Sequence, residues 1–336
     1  MTGDKRGSPM HSEQAGVALI SILLVVAITV VLSSAMMLDE NLVIHKARNN
    51  FDHGQVRQYA LGGEELARQI LREDYESEDK HDHLQEEWAA QGMEFEFTDG
   101  EVLLQINDLQ GRININTLVN PGPEGDQART RFQVLLANAG LDAMYLDRLV
   151  DWLDNDEAVS QSGAEDFAYL GLERPYRTSG QPAVEVSELR QLLDMDANSF
   201  AVLAPYLSAL PEQRTPVNIN TASAGILQSL SYRLTADIVD LLIQERDRQS
   251  GYKSVTEFLQ SPHVAGLGIS ELGLGVQSRY FEVRVQAVNL DRHGYLTSVI
   301  QRNSTNGNMR VLYRNFGWKV ILKEPLEDSG ENKENG

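Results

Sequence analysis

The chain has 336 residues, with 29 Lys and Arg against 49 Asp and Glu, so its formal net charge at pH 7 is −20. A chain this acidic does not offer the broad basic face that nucleic-acid binding uses. Hydrophobic residues make up 42% of the chain, which is ordinary for a globular protein of about two domains and excludes disorder throughout. The absence of Cys excludes disulfides, thiol catalysis and thiolate metal sites.

An uncharged apolar stretch lies near the N-terminus, at residues 17–38. Its 22 residues contain no Pro or Gly, and as a helix they would extend roughly 33 Å, about the thickness of a bilayer core. A cleaved secretory signal has a shorter apolar region followed by small residues, whereas Ala15 and Gly16 precede this one. We therefore expect a retained single-pass anchor. Lys5 and Arg6 ahead of it favour an N-terminus inside the cell.

The helical pattern continues beyond the anchor. Apolar residues recur among charges at mostly three- and four-residue steps up to Leu71, which is typical of an amphipathic helix. The sequence predicts one helix over about residues 17–72, with Gly54 and the Gly62–Gly63 pair as its weak points. The alternative is a membrane anchor followed by a separate helix.

Alternation of apolar and polar residues predicts strands in two groups. The first group is a hairpin at residues 93–97 and 101–106, which turns at Thr98, Asp99 and Gly100. The second group lies near the C-terminus, with strands at 280–288, 295–302 and 309–316 and turns at 291–294 and 306–307. Residues 119–278, between the two groups, have the pattern of helices and loops. The predicted fold class is therefore α+β, with a large helical domain inserted between the strands of a small antiparallel sheet.

The insert contains a short internal repeat. Residues 111–118 read Gly-Arg-Ile-Asn-Ile-Asn-Thr-Leu, and residues 216–223 read Pro-Val-Asn-Ile-Asn-Thr-Ala-Ser. Helix-forming residues follow both, so their Asn and Thr side chains are candidates for helix caps. The repeat predicts two related helical lobes.

The second lobe is similar to helix-hairpin-helix modules that bind the DNA backbone. Gly266-Leu-Gly268 matches one hairpin, but the other, at residues 231–234, has no glycine to form a backbone nest for phosphate. Residues 214–279 contain equal numbers of acidic and basic side chains, so they do not attract a polyanion. A membrane-anchored DNA-binding protein is the alternative function.

The first lobe concentrates acidic residues in a segment without Lys or Arg. The residues are Asp151, Asp154, Asp156, Glu157, Glu165 and Asp166. Carboxylates at this density repel one another unless solvent separates them or they share a cation, and six to eight oxygen ligands suit calcium better than magnesium. Three interpretations stay open: a solvated acidic face, a calcium site, and a catalytic carboxylate pair in a membrane-tethered hydrolase. His81 and His83, two residues apart, do not share a helix face, and we expect them to be exposed polar residues.

The motifs together resemble the general secretion pathway protein K family, the large minor pseudopilins of bacterial type II secretion systems. They cover the chain from about Gly16 to about Trp318 in the following order: Gly16 before Val-Ala-Leu-Ile, Leu-Gln-Gly-Arg-Ile-Asn-Ile-Asn at 109–116, Asp-Trp-Leu-Asp-Asn-Asp at 151–156, Gly-Ala-Glu-Asp at 163–166, Pro-Tyr-Arg at 175–177, Ser-Glu-Leu-Arg at 187–190, and Val-Asn-Ile-Asn-Thr-Ala at 217–222.

The resemblance implies a non-enzymatic subunit with a pilin-like fold at the tip of a periplasmic pseudopilus. It implies cleavage by prepilin peptidase after Gly16, N-methylation of Val17, and calcium in the acidic lobe. We expect some of Asp151, Asp154, Asp156, Glu165 and Asp166 to hold the calcium, and Asp154, Asp156 and Glu165 are the strongest candidates among them. The implied partners are other minor pseudopilins, the inner-membrane secretion platform and inner-membrane lipid, and not nucleic acid. The 16-residue leader is long for the family, and a start at Met10 would shorten it.

The resemblance divides the chain into six segments. They are a leader at 1–16, the transmembrane half of the helix at 17–38, the rest of the helix and the first strands at 39–118, the two-lobed insert at 119–278, the C-terminal strands at 279–322, and a disordered polar tail at 323–336.

Ser21 is the fifth residue of the expected mature chain. Pilins usually carry Glu there, whose carboxylate neutralises the N-terminal ammonium of a neighbouring subunit inside the apolar bundle. Ser21 cannot do so, which favours the end of a filament over its shaft; the alternative is a tolerated small polar residue. The bulky insert also favours the end of a filament, because it would obstruct the repeated packing of subunits along the shaft. We expect partner helices to contact the apolar stripe formed by Leu42, Phe51, Val56 and Tyr59.

Overall fold

The computed structural model describes residues 12–97, 100–290, 292–317, 319 and 322. Its helices are α1 Ser12–Glu76, α2 Pro123–Asn138, α3 Met144–Leu153, α4 Asp166–Leu170, α5 Ala197–Leu203, α6 Ala224–Gln228, α7 Ala236–Arg248 and α8 Val255–Gln260. Its strands are β1 Met93–Phe97, β2 Gly100–Asp108, β3 Ile113–Asn114, β4 Leu207–Ser208, β5 Val217–Asn218, β6 Leu274–Gly275, β7 Tyr280–Asn289, β8 Arg292–Arg302 and β9 Met309–Asn315. Short 3-10 helices lie at Glu87–Ala89, Ile115–Val119, Val186–Gln191 and Ala204–Tyr206.

The chain divides into two compact units, Met1–Arg57 and Gln58–Gly336. In the first unit, Leu19–Met37 is a 19-residue candidate membrane span with a mean hydropathy of 2.7 and no buried residues. This agrees with the predicted anchor. The prediction of one helix is confirmed, because α1 is a single element of 65 residues. It begins before and ends after the predicted limits, and it is not interrupted at its glycines.

The second unit contains a five-stranded antiparallel sheet in the order β1-β2-β7-β8-β9. Strands β2 and β7 pair along their whole lengths, with Val102 opposite Ala287 and Leu104 opposite Val285. All four of these side chains are buried. The predicted strands are confirmed, although β2 runs to Asp108 and β8 begins at Arg292, inside the turn predicted at 291–294. Thr98, Asp99 and Asp291 lie outside the described residues, as do residues 323–336 of the predicted tail.

The last turns of α1, within the second unit, pack closely on this sheet. Gly63 lies so near it that an added Cβ would stand 2.6 Å from Val285 Cγ1 and 2.8 Å from Val102 Cγ1. A glycine is required here by the close approach of the helix backbone, and Gly63 is therefore a packing position instead of the weak point that the sequence predicted. Ala60 and Ala67 are buried along the same part of α1.

Two ionic contacts, each with a buried carboxylate, tie the end of α1 and the segment after it to the sheet. Glu64 accepts hydrogen bonds from Arg314 Nε and Nη2, both at 2.7 Å, and from the Ser298 hydroxyl. Arg302 Nη1 lies 2.6 Å from Asp74 Oδ2, and its Nη2 contacts Asp82 and donates to the Ser278 carbonyl at 2.7 Å. Arg302, at the end of β8, therefore links α1, the segment after α1 and the residues just before β7.

The helical insert lies between β2 and β7, as predicted, and its internal repeat is a structural repeat. Strand β3 pairs in parallel with β4, and β5 pairs in parallel with β6. Asn116 exchanges two hydrogen bonds with the backbone of Ala183, at 2.9 and 2.8 Å. Asn220 does the same with Tyr252, at 2.9 and 2.7 Å.

The repeat corrects two details of the prediction. First, the two related lobes do not have separate cores, because one cluster of buried residues runs from Ile113 to Leu274. This core already includes Ile113 and Ile115, ahead of the predicted boundary at 119. Second, the insert contains the short strands β4, β5 and β6 as well as helices and loops. The predicted capping role of asparagine holds for Asn114, whose side chain accepts from the Asn116 N–H at the start of a 3-10 helix.

Candidate functional site

The acidic site begins where α3 ends. Amphipathic α3 buries Leu146, Leu149 and Leu153 against the insert core. Trp152, near its end, is buried and packs edge-on against Tyr169 and Tyr176, with ring centroids 5.4 and 6.2 Å apart. Asp154 follows as the first residue with extended backbone angles. The aromatic cluster therefore fixes the point at which the chain leaves the helix.

Three of the predicted ligands converge there. Asp154, Asp156 and Glu165 each offer one carboxylate oxygen, and these oxygens all lie within 4.8 Å of one another. Asp156 is exposed, Asp154 is half-buried, and Glu165 is 6% exposed. The group is therefore open to solvent on one side and closed on the other.

Burial and mutual repulsion disfavour the charged forms of Asp154 and Glu165. Burial, followed by the charge of Asp151, raises the pKa of Glu165 to about 7. Burial and the neighbouring Asp156 raise the pKa of Asp154. Asp154 Oδ1 and Glu165 Oε1 are buried and accept no hydrogen bond from any residue that the structure describes. Two buried carboxylate oxygens without donors fit a hard cation such as calcium, which takes oxygen ligands.

Asp151 and Asp166 have other contacts. Asp151 is fully buried and accepts from the Ser160 N–H at 3.2 and 3.1 Å. These hydrogen bonds hold the loop that carries Asp156 in place. The charge of Asp151 also raises the pKa of Glu165. Asp166 accepts from Thr178 N–H at 2.9 Å and pairs with Arg177 at 2.8 Å, and the Thr178 backbone hydrogen bond leads in lowering its pKa. The structure does not bring either residue into the group of three.

The predicted partner stripe is only partly exposed. Phe51 is 70% exposed and Ser21 is exposed, but Val56 is 2% exposed and cannot offer surface to a partner, which corrects that prediction. Tyr59 is half-buried and stacks on Phe97, with ring centroids 5.4 Å apart. The side chain of Leu42 lies outside what the structure describes. Gly16 and Val17 lie within α1, and their side chains are likewise not described.

Other residues were missed or misassigned. Val43 and Ile44, beyond the membrane-length stretch, are exposed apolar side chains that the three- and four-residue spacing could have included. His81 and His83, predicted to be exposed, are buried. That prediction was wrong because residues 79–83 are not helical, so the test of a shared helix face did not apply.

A membrane-length N-terminal helix, an antiparallel sheet packed on the end of that helix, and a helical insert between the strands define a pilin-like protein with a large inserted domain. Two family models, both described as "Type II secretion system (T2SS), protein K", match residues 111–212 and 217–277, respectively. The chain belongs to the type II secretion system protein K family, whose members are minor pseudopilins.

Relatives match nearly the whole chain. Type II secretion system protein K of Pseudomonas aeruginosa is 35% identical over 320 residues, which cover 92% of this chain and 94% of the relative. The protein of the same name from Klebsiella pneumoniae is 36% identical over 265 residues, which cover 75% and 81% of the two chains. These matches confirm the family that the sequence motifs indicated.

A solved structure supports the fold. The match lies in the crystal structure of the GspK-GspI-GspJ complex from the enterotoxigenic Escherichia coli type 2 secretion system, with a TM-score of 0.73 and 26% identity. It covers 82% of this chain and 100% of the solved chain. The predicted α+β fold is thereby confirmed, and the matches support the pseudopilin function over the DNA-binding alternative.

Proposed function

We propose that the chain is a non-enzymatic minor pseudopilin that sits at the tip of the type II secretion pseudopilus and nucleates its assembly. In this role it supports export of folded proteins from the periplasm across the outer membrane. One observation carries the proposal: the chain shares its fold with a protein solved in a complex named for three such subunits. We assign it to the inner membrane as a single-pass protein, with its C-terminal domain in the periplasm, on the strength of the single candidate span among the described residues.

Two features support a place at the tip. Ser21 lacks the carboxylate that would pair with the N-terminal ammonium of a subunit above, and an unpaired charge in an apolar bundle is costly. The insert, from about residue 111 to 278, adds bulk that would hinder repeated packing along a shaft. A subunit with both features can end a filament without disturbing the subunits below it.

Partner helices have exposed apolar surface available beyond the membrane-length stretch. Val43, Ile44 and Phe51 are at least 59% exposed, and exposed apolar surface of this kind marks a contact site. We propose that pilin-like partners equivalent to GspI and GspJ bury these residues.

The partner proposal predicts the effect of a charge on this surface. Phe51→Asp should weaken co-purification of the full-length chain with its two pilin-like partners about 30-fold, because the charge would be buried unpaired at the contact. Tyr232→Asp, at an exposed aromatic residue of the insert, is the matched control and should bind normally. Equal co-purification of both variants would contradict the interface.

Labelling of the protein on isolated filaments tests its position in the pseudopilus. Label along the whole shaft would contradict a place at the tip.

Processing gives a second prediction. Prepilin peptidase should cut after Gly16 and leave Val17 as an N-methylated first residue, so Gly16→Leu should leave the leader attached. The intact mass of the membrane-extracted protein reports cleavage and methylation together. Gly7→Leu, inside the predicted leader, is the matched control and should be processed normally. A mature mass in the Gly16→Leu variant would show that the boundary lies elsewhere.

We further propose that Asp154, Asp156 and Glu165 hold calcium, with Asp151 positioning the loop between α3 and α4 that carries them. The support is the convergence of three carboxylates and the two buried oxygens that receive no hydrogen bond from the described residues. Calcium there would hold the end of α3 to the start of α4 and so stiffen the first lobe. It would supply charge neutralisation and no chemical step.

A further inference from the structure

We propose that Asp79, His81 and His83 form a second metal site that binds Zn²⁺ and is separate from the acidic lobe. These residues lie in the segment that follows α1. Their ligand atoms, one from each side chain, all lie within 4.8 Å of one another. The proposal does not depend on the assignment of calcium to the other cluster.

The backbone explains how three alternate residues converge. The segment is not helical, and the His81 N–H donates to Asp79 Oδ1 at 3.3 Å, which holds this carboxylate beside the His81 ring. The two imidazole rings lie 5.1 Å apart, centroid to centroid. His81 and His83 are 8% and 7% exposed, whereas the side chain of Asp79 is 45% exposed. Asp79 and His81 also line a cavity of about 600 Å³, which gives an ion and its water a path to the site.

The hydrogen bonds of His81 leave its other nitrogen facing a carboxylate. Its Nε2 lies 2.9 Å from the carbonyl oxygen of Ser250, which can only accept, so Nε2 carries the proton. Its Nδ1 contacts the Asp79 carboxylate. Either a proton on Nδ1 or a metal ion shared by the two groups would satisfy this contact. Histidine ligands of metals commonly donate their other N–H to a backbone carbonyl, which is the arrangement of His81 and Ser250.

His83 is the weaker ligand of the three. Its Nε2 lies 3.8 Å from Asp79 Oδ2, so a metal placed between His81 and Asp79 would be within its reach. However, Gln85 N–H donates to His83 Nδ1 at 3.2 Å. Ligation through Nε2 would move the ring proton to Nδ1 and break this hydrogen bond. Loss of His83 should therefore weaken binding less than loss of His81.

The ligand set selects the ion. Two imidazoles and one carboxylate suit zinc, which uses three protein ligands and a water at open sites, whereas calcium takes oxygen ligands. The nearby carboxylates have other partners: Asp74 and Asp82 pair with Arg302, and Glu86 accepts from His83 N–H at 2.8 Å and Trp88 Nε1 at 2.7 Å. Lys80 donates to the carbonyls of Tyr75 and Ser77. Zinc would hold the three side chains of the segment after α1 together, and the His81 hydrogen bond already joins this segment to Ser250, between α7 and α8.

The test is zinc binding to the full-length protein in detergent, without a histidine tag and with saturating calcium present. Isothermal titration calorimetry should find one zinc per chain. Asp79→Asn and His81→Gln should each weaken binding at least about tenfold, and His83→Gln should weaken it less. His293→Gln, at an exposed histidine on β8, is the matched control and should bind as the wild type does.

Several outcomes would overturn the proposal. Binding that does not saturate, or that survives both Asp79→Asn and His81→Gln, would do so, and so would zinc binding that Asp154→Ala removes, because zinc would then occupy the acidic lobe. If His81→Gln does not fold, zinc binding by Asp79→Asn tests the site, because Asp79 is exposed and its substitution should not prevent folding. If zinc does not raise the melting temperature of the wild type, a proton on His81 Nδ1 accounts for the contact with Asp79. That result would also overturn the metal site.

Discussion

Removing calcium from the full-length protein should lower its melting temperature by roughly 5 °C, because a ligand that binds only the folded state stabilises it by mass action. Calcium at a hundred times its dissociation constant contributes about 2.7 kcal/mol to the free energy of unfolding, and in a chain of this size that shifts the melting temperature by several degrees. Differential scanning calorimetry in detergent, with millimolar calcium or with a chelator, measures the shift.

Variants of the cluster should separate a calcium ligand from an ordinary surface acid. Asp154→Ala should abolish the calcium-dependent shift. Glu165→Gln should lower the melting temperature in calcium but raise it in chelator, because it removes both a ligand and an unneutralised buried charge. Glu157→Gln, at an exposed acid of the same loop, is the matched control and should keep the full shift. Identical wild-type melts with calcium and with chelator would support the solvated acidic face.

In chelator, the free energy of unfolding should fall as pH rises. The pKa of Glu165 is raised from 4.5 to about 7 in the folded protein, so its contribution to stability is fully present below about pH 4.5 and is lost as pH rises through about 7. Allowing for screening by water, the loss is on the order of 1–2 kcal/mol. Saturating calcium should remove this fall. Melts between pH 5 and 8 test it, and Glu165→Gln should flatten the slope.

The long elements of the fold could be predicted because each buries a periodic apolar face. Helix α1 and the five strands of the main sheet have this periodicity, and the sequence therefore located them to within a few residues. Strands β3 to β6 have two residues each, which is too short to show a periodic pattern of apolar residues. They form because Asn114, Asn116, Asn218 and Asn220 bond to backbone groups far along the chain. The sequence showed the repeated motif but not its long-range partners.

Asp154, Asp156 and Glu165, the strongest ligand candidates in the sequence, are the three acids that converge, but the sequence also assigned Asp151 and Asp166 to the site. Six acids lie close together in sequence, and composition alone cannot tell which of them face one another. The distinction depends on Ser160, which binds Asp151, and on Thr178 and Arg177, which bind Asp166. The buried histidine pair was missed for a related reason, because the spacing of His81 and His83 was tested against a helix in a segment that is not helical.

The largest loss of stability should come from Arg302→Met, which we expect to lower the free energy of unfolding by about 3–5 kcal/mol. Breaking a buried ion pair by removing one partner leaves an uncompensated charge in the interior. Here Asp82 is buried, and even beside Arg302 its burial raises its pKa to about 6. The free-energy cost of burying this charged carboxylate is therefore already larger than the stabilisation that it gains from pairing with Arg302. Chemical denaturation followed by tryptophan fluorescence measures the loss, since Trp88 is buried against Phe281.

A double-mutant cycle separates the lost charge pair from lost packing. The Arg302 guanidinium also lies over the Phe281 ring, 4.8 Å from its centroid, so some of the loss reflects that contact. If the unpaired carboxylate dominates, Arg302→Met combined with Asp82→Asn should be more stable than the sum of the single losses by about 1–3 kcal/mol. Arg310→Met, at an exposed arginine on β9, is the matched control and should change stability by less than about 0.5 kcal/mol. Strict additivity of the two buried substitutions would assign the loss to packing on Phe281 instead of to the stranded charge.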